Sequence, residues 1–261
     1  MQQDRRISIF RNGLHDMENA SFIGMSRQMV LRRQMDLVAN NIANMNTPAY
    51  KGERMVFVEY LAPTTDGTLS YVQDIAQVRD TSEGSFTATG NPLDVAIRGD
   101  GYFTVNTPLG DRYTRNGRFS LDPTGRLVTS DGYAVMDSNN QPIVIPEDAT
   151  DVEIADDGSI STSTAVVPRI SNQLGQLNLV KFANDQDLTK TGSGLYSTQQ
   201  APQPATAAAV IQGMVEESNV QPVMEITRMI ATQRAHDQAG TLINANDEML
   251  QLAIQKLTQI N

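Results

Sequence analysis

Residues 40–57 read NNIANMNTPAYKGERMVF, and four asparagines fall within the first seven positions. The apolar spacing upstream predicts a helix that ends here, because the proline of this stretch disfavours the helical conformation of the residue before it. Asn44 and Asn46 suit the helix end, since asparagine tolerates the left-handed conformation and competes for backbone hydrogen bonds. Asn40 and Asn41 still lie within the helix and need partners for their amides. They belong either to a frayed, solvated terminus or to hydrogen bonds with neighbouring helices in an assembly.

The helix that leads into this stretch, about residues 20–45, carries a coiled-coil pattern. Its apolar residues are spaced four, three, four and three positions apart, which is the spacing of a heptad seam. The five seam residues are Leu31, Met35, Val38, Ile42 and Met45.

A longer seam occupies the end of the chain, about residues 218–260. Ser218 or Asn219 is a candidate N-cap for this helix, with Pro222 in its first turn. Spacings of three and four alternate through ten positions: Met229, Thr232, His236, Ala239, Ile243, Asn246, Leu250, Ala253, Leu257 and Ile260. We predict that the two seams and the asparagines form an assembly interface. The residues assigned to it are Leu31, Met35, Val38, Asn40, Asn41, Ile42, Asn44, Met229, Ile243, Leu250 and Leu257.

The middle of the chain, about residues 56–200, has the pattern of β structure. Short apolar runs such as LDVAI (93–97) and YFTV (102–105) are separated by turn signals such as Asp157-Gly158. Short strands with hairpin-like spacing favour an antiparallel sandwich or barrel. The predicted fold class is therefore α+β, with an antiparallel β-rich central domain flanked by N- and C-terminal helices that pair as a coiled coil.

Six segments follow from these patterns. Residues 1–16 are an extension, expected to be disordered or non-native, because Met17 is a candidate start. The others are a helix at 17–47, an extended connection at 48–84, the β-rich domain at 85–198, a linker at 199–215 and a helix at 216–261.

Composition and charge exclude several classes of function. The net charge of −10 disfavours a general binder of nucleic acids or anionic membranes. The chain has no cysteine, which excludes disulfides, thiol catalysis and cysteine-ligated zinc. No apolar run approaches the roughly 18–20 residues of a membrane span, so we predict no membrane insertion.

The two ends carry opposite charge. Residues 17–55 hold five basic and three acidic side chains, and residues 215–261 hold three basic and six acidic ones. Ordering the backbone of both helices costs about 1–2 kcal/mol per residue. The apolar burial in a single seam between two helices offsets only part of this cost. The sequence therefore predicts ends that are loose in the monomer and ordered in a polymer.

No residue pattern indicates catalysis, a metal or a cofactor. His15 lies in the extension, and a packed or surface role is favoured for His236 over a catalytic or metal-binding one. The acidic pair at 156–157 opens a turn and lacks the spacing of a calcium loop. Arg115 and Arg118 form either a basic ligand site or, as we expect, a solvated hairpin.

Three motifs resemble the bacterial flagellar axial proteins. NNIANMNTPAYK (40–51) is similar to their N-terminal signature, and EESNVQPVMEITRMIATQRAHDQAGTLINANDEMLQLAIQKL (216–257) to their C-terminal helix. Residues 89–135 resemble the β-domain of the flagellar basal-body rod proteins. The resemblance runs from about residue 17 to 261, and the details around 46–52 and 216–230 are most similar to the proximal rod proteins.

The resemblance implies a structural subunit of the periplasmic rod of the flagellar basal body. Such subunits leave the cytoplasm through the flagellar export apparatus and assemble with copies of themselves and with other rod proteins. Their terminal helices form an inner tube, and no enzymatic activity is implied.

Two alternatives stay open. One is a distal rod or hook-type axial subunit, which the neighbours of the chain in a reconstituted basal body would reveal. The other is a hydrolase that uses loop carboxylates of the β-domain, which requires a cleft with two converging carboxylates.

Overall fold

The computed structural model describes residues 2–64, 67–164 and 171–258, with side chains described over 21–56, 76–163, 172–252 and 254–255. The chain forms two units. The helix unit contains residues up to 43, 53–78 and the chain from 221 onward, and the β unit contains residues 44–52 and 79–220. No helix in the described part of the chain has the length and apolar content to span a membrane.

Two long helices and a pair of strands make up the helix unit. The helices are α1 (Gln2–Ala43) and α2 (Pro222–Thr258), and they contact each other. The strands β1 (Glu53–Thr64) and β2 (Gly67–Arg79) pair with each other. The predicted flanking helices are thus confirmed, while their coiled-coil geometry stays a prediction.

The helix α1 is longer than its seam indicates. Residues 2–16 continue it, although we expected them to be disordered or non-native. No proline occurs before position 48, so nothing in this stretch prevents the backbone from continuing as a helix. The strands β1 and β2 likewise occupy most of the region that we expected to be an extended connection.

The β unit is antiparallel in its described strand pairings. Its described strands are β3 (Phe86–Ala88), β4 (Val95–Arg98), β5 (Tyr102–Thr107), β6 (Gly110–Thr114), β7 (Phe119–Leu121), β8 (Leu127–Thr129), β9 (Ala134–Val135), β10 (Ala149–Ile154), β11 (Ser159–Thr164), β12 (Ser171–Gln176), β13 (Leu179–Lys181), β14 (Thr189–Gly192), β15 (Leu195–Ser197), β16 (Gln203–Pro204), β17 (Ala209–Gln212) and β18 (Met214–Glu216). Among these, the largest sheet has nine strands, with the central order β14-β15-β6-β5-β9-β8-β7, and a separate sheet has the order β10-β11-β12.

Two clusters fill the interior of the β unit. The larger one is aliphatic around the edge-to-face pair Phe103 and Phe119, whose ring centroids are 5.1 Å apart. The smaller one is aromatic and contains Tyr102, Tyr113 and Tyr196. These clusters confirm the β-rich domain.

The expected linker at 199–215 is instead part of the β unit. β17 pairs with β4, and β18 pairs with β3. Val210 and Val215 are fully buried, which gives this stretch core contacts that its alanine-rich composition conceals. The C-terminal helix consequently begins at Pro222 and not at residue 216.

Candidate assembly interface and joint

The helices α1 and α2 pack antiparallel. Asn246 Nδ2 donates a hydrogen bond of 2.7 Å to Ser21 Oγ. A Cβ added at Gly24 would lie 2.7 Å from Ile243 Cγ1, and one added at Gly240 would lie 3.1 Å from Gln28 Nε2. Residues with higher numbers in α1 thus contact residues with lower numbers in α2. The two glycines permit this close approach because they lack a side chain.

Burial along α2 follows the seam. The seam positions from Met229 to Leu250 are buried or half-buried, and nearly all residues between them are exposed. The most protected are Thr232, Ala239 and Asn246, at 4%, 3% and 8% exposure. The seam therefore faces the inside of the helix unit. The side chains of Ala253, Leu257 and Ile260 lie outside the described residues.

The seam of α1 is protected in the same way. Val38 is 3% exposed, and Leu31, Met35 and Ile42 are half-buried. The prediction that these residues contact other subunits remains untested, because their protection here arises within one chain.

Asn41 joins α1 to two other elements of the helix unit. Its Oδ1 accepts from the backbone N–H of Glu53 at 3.0 Å, and its Nδ2 donates to the Glu53 carbonyl at 2.9 Å. The same Nδ2 donates to Glu225 Oε2 at 3.3 Å, in the first turn of α2. With 3% exposure, Asn41 is not part of a frayed terminus. Its amide pairs with a strand residue as another peptide group would.

The other asparagines have different surroundings. Asn44 Oδ1 accepts from Thr47 Oγ1 at 3.2 Å, and the Asn44 carbonyl accepts from the Thr47 N–H at 3.1 Å, which confirms a turn after the helix. Asn40 is exposed and lines a groove of about 570 Å³ together with Arg33 and Glu53.

In the β unit, a buried ion cluster holds the residues that follow this turn. Glu216 Oε1 accepts from Lys51 Nζ at 2.6 Å, and Glu216 Oε2 accepts from Arg115 Nε at 2.9 Å. The three side chains are 0%, 3% and 5% exposed. We call this group the Lys51–Glu216–Arg115 clasp. Arg115 also donates to the carbonyls of Gly99, Gly101 and Ile97.

The clasp places two cations around the fully buried carboxylate of Glu216, and the more exposed carboxylate of Glu83 lies 3.9 Å from Arg115 Nη2. Burial by itself raises the pKa of Glu216, but the charges of Arg115 and Lys51 outweigh it and leave this pKa below its usual value. Burial lowers the pKa of Lys51, and the Glu216 carboxylate offsets only part of that effect. The cluster thus favours the charged form of Glu216, whereas burial disfavours the charged form of Lys51.

Asn219 adds a second set of contacts to the same place. Its Oδ1 accepts from the Gly52 N–H at 2.8 Å, and its Nδ2 donates to the carbonyls of Asp80 and Ser82 at 2.9 and 3.0 Å. Ala49 donates to the Glu216 carbonyl at 2.8 Å from a left-handed conformation, with φ of 56°. Asn219 is therefore not the N-cap of α2 that the sequence suggested.

Sequence reasoning missed the clasp. It expected Arg115 and Arg118 to lie in a solvated hairpin, and only Arg118 is exposed. Lys51 and Glu216 received no role, since an isolated lysine and a glutamate 165 positions away give no local signal. Buried cations of this kind become visible only when the fold brings their partners together.

The candidate catalytic residues gain no support from geometry. His236 Nδ1 lies 3.8 Å from Asp237 Oδ1, on the half-exposed face of α2. Asp157 accepts from the N–H and hydroxyl of Ser159 in a turn that Gly158 continues with φ of 82°. No group of three or more potential metal ligands occurs among the residues that the structure describes.

Three sequence profiles of known families match the chain. The profile of the flagellar hook protein FlgE/F/G D1 domain matches residues 96–162. The profile of the flagellar basal body rod FlgEFG protein C-terminal region matches residues 211–256, and that of the flagella basal body rod protein matches residues 23–51.

Full-length relatives agree with these profiles. The chain is 40% identical to the flagellar basal-body rod protein FlgF of Caulobacter vibrioides, with 94% of this chain and 100% of that protein covered. It is 31% identical to FlgF of Mesorhizobium japonicum, with 92% and 98% covered. It is 35% identical to FlgG of Bacillus subtilis, with 88% and 96% covered.

Proposed function

We propose a role for this chain from the premise that it belongs to the family of flagellar basal-body rod proteins. The chain is a structural component of the basal-body rod, and the FlgF relative at 40% identity makes FlgF the best assignment, ahead of FlgG. The finer proposal is a proximal rod subunit that assembles with copies of itself and with other rod proteins.

The observation that carries this proposal is a second apolar face on the helix unit. α1 exposes Phe22 and Met29 at 67% and 60%, and α2 exposes Val223 and Leu242 at 75% and 66%. A helix that buries one face and leaves another apolar face in water is favoured when a further partner covers it. The exposed set is Phe22, Met25, Met29, Val223, Met224, Ile226, Ile230, Leu242, Met249, Leu252 and Ile254.

We propose that helices of neighbouring rod subunits cover this face. The exposed charges favour helices of this type, since described exposed charges on α1 are mainly basic and those on α2 are mainly acidic. They are Arg27, Arg32, Arg33 and Asp36 on α1, and Arg228, Arg234, Asp237, Asp247 and Glu248 on α2. A contact between different surfaces of two copies produces a helical filament when its rotation does not close into a ring. Methionine suits such contacts because its flexible side chain fits irregular gaps.

The proposal also includes export of the chain through the flagellar export apparatus. It includes no binding of nucleic acid or of a cofactor, and no insertion into a membrane. A non-enzymatic role is part of it. Two grooves of the β unit, of about 560 and 550 Å³, are each lined by a single carboxylate, Asp187 in one and Asp157 in the other. A hydrolase of the two-carboxylate type requires a converging pair, so this observation favours the structural role.

The test places a charge on the second apolar face without touching the seam. Ile230→Asp should leave the circular dichroism of the monomer unchanged, because Ile230 is 46% exposed, but should abolish incorporation into isolated basal bodies and swimming. Gln233→Asp, at an exposed polar position one turn away, is the matched control and should incorporate normally. Normal incorporation of Ile230→Asp would exclude this face as the subunit contact.

A further inference from the structure

The clasp lies where three separate stretches of the chain meet inside the β unit. They are residues 49–52, residues 80–84 and residues 216–219. Each adjoins a point at which the chain passes between the β unit and the helix unit. The clasp thus lies beside three of the connections between the two units.

Backbone and side-chain bonds link each stretch to the other two. Asp80 N–H donates to the Gly52 carbonyl at 2.7 Å, and Asn219 N–H donates to the Tyr50 carbonyl at 3.2 Å. Lys51 Nζ donates to the Ser82 carbonyl at 2.6 Å as well as to Glu216. If any one stretch separates, it therefore breaks its hydrogen bonds to both of the other stretches.

Glu216 is the member that all of these stretches share. Its Oε1 accepts from both Lys51 Nζ and the Gly84 N–H, the latter at 2.9 Å. Its Oε2 accepts from Arg115, which is bonded in turn to three carbonyls around β4. Removal of one partner from a buried ion pair leaves an uncompensated charge away from water, which is strongly unfavourable. Partial opening of the clasp is thus disfavoured relative to complete opening.

We propose that Glu216 fastens the three connecting stretches to the β unit as one cooperative element, which attaches or detaches as a whole. This cooperative fastening is a property of the single chain.

Native-state hydrogen exchange on the full-length monomer tests the fastening. The probes are the amides of Ala49, Gly52, Asp80 and Asn219, which come from all three stretches and do not donate to the Glu216 side chain. In the wild type these four amides should open with one common free energy. In Glu216→Gln all four should exchange about 10²–10³-fold faster, because two buried cations lose the one fully buried counter-charge that contacts both. The core amide of Leu127, bonded to the Ile143 carbonyl at 2.9 Å, should keep its rate.

Two further variants complete the design. Glu217→Gln changes the adjacent half-buried glutamate, which is no member of the clasp, and should leave all five rates unchanged. Lys51→Met removes one cation, keeps the Glu216–Arg115 pair and should accelerate the same four amides by a smaller factor, so it serves if Glu216→Gln does not fold.

The outcomes separate clearly. Acceleration confined to one stretch would overturn the proposal, and so would equal acceleration of Leu127, since Glu216 would then act on the whole β unit. Because every rate is measured on the monomer, failure here is distinct from failure of the wild-type chain to enter the rod.

Discussion

At the scale of single residues, two polar side chains are buried at positions where the sequence indicates the surface or a turn. Asn41 satisfies both backbone groups of Glu53, and Glu216 satisfies two cations and an amide. Each is buried and fully bonded, which is the condition under which a buried polar group is tolerated.

The lowered pKa of Glu216 predicts an acid dependence of stability. A carboxylate with a folded pKa below its unfolded value of 4.5 contributes fully above about pH 4.5, and loses that contribution as the pH falls through the folded pKa. We expect Glu216→Gln to accelerate exchange of the amides of the three connecting stretches about 10²–10³-fold at pH 7, without a matching change at the core amide of Leu127. The acceleration, taken relative to the wild type at the same pH, should shrink below pH 4.5. Hydrogen exchange at a series of pH values measures it, and an acceleration independent of pH from 7 to 3 would contradict the prediction.

At the scale of elements, each long helix has two roles. The seam of α2 faces α1 within the chain, and outside the seam α2 exposes several large apolar residues among polar ones. Gly24 and Gly240 lie at close contacts between the two helices. A helix with large exposed apolar residues outside its buried seam is typical of a bundle with more than two members.

A charge in the seam should therefore act differently from a charge on the exposed face. Ile243→Asp places a carboxylate against Gly24 and should unpair the helices, with helical circular dichroism reduced, assembly blocked and the β unit still folded. Leu250→Asp, one heptad later, should act in the same direction. Thr241→Asp at an exposed position is the control. Normal motility of Ile243→Asp would refute the assignment of the seam.

At the scale of the whole molecule, the chain consists of two units with different interiors. The β unit has a continuous apolar core with six fully buried valine, isoleucine or phenylalanine residues: Val95, Ile97, Phe103, Val105, Ile160 and Val210. The helix unit has a narrow seam and many exposed apolar residues. The helix unit therefore depends more on contacts with partner chains than the β unit does.

This difference predicts unequal protection from hydrogen exchange. In the monomer, amides of residues 21–43 and 222–252 should exchange much faster than those of β4, β5 and β8, because few apolar contacts hold the helices. After incorporation into a rod, both helices should gain protection while the β unit changes little. If both helices are already as protected as β5 in a solitary monomer, polymerisation must use a surface other than the helices.

The sequence determined the two terminal helices, the β-rich middle and their order, because helical and strand periodicities are local. Heptad spacing located the protected faces of both helices, and turn signals identified the β-rich middle. Local signals did not distinguish the strands β17 and β18 from a linker, since alanine-rich composition is neutral between the two. Only the tertiary structure decided the partners of Asn41, the burial of Arg115 and the pairing of Lys51 with Glu216. Those contacts join residues up to 184 positions apart, and a hydrogen bond or ion pair at that separation leaves no trace in the local pattern of the residues that make it.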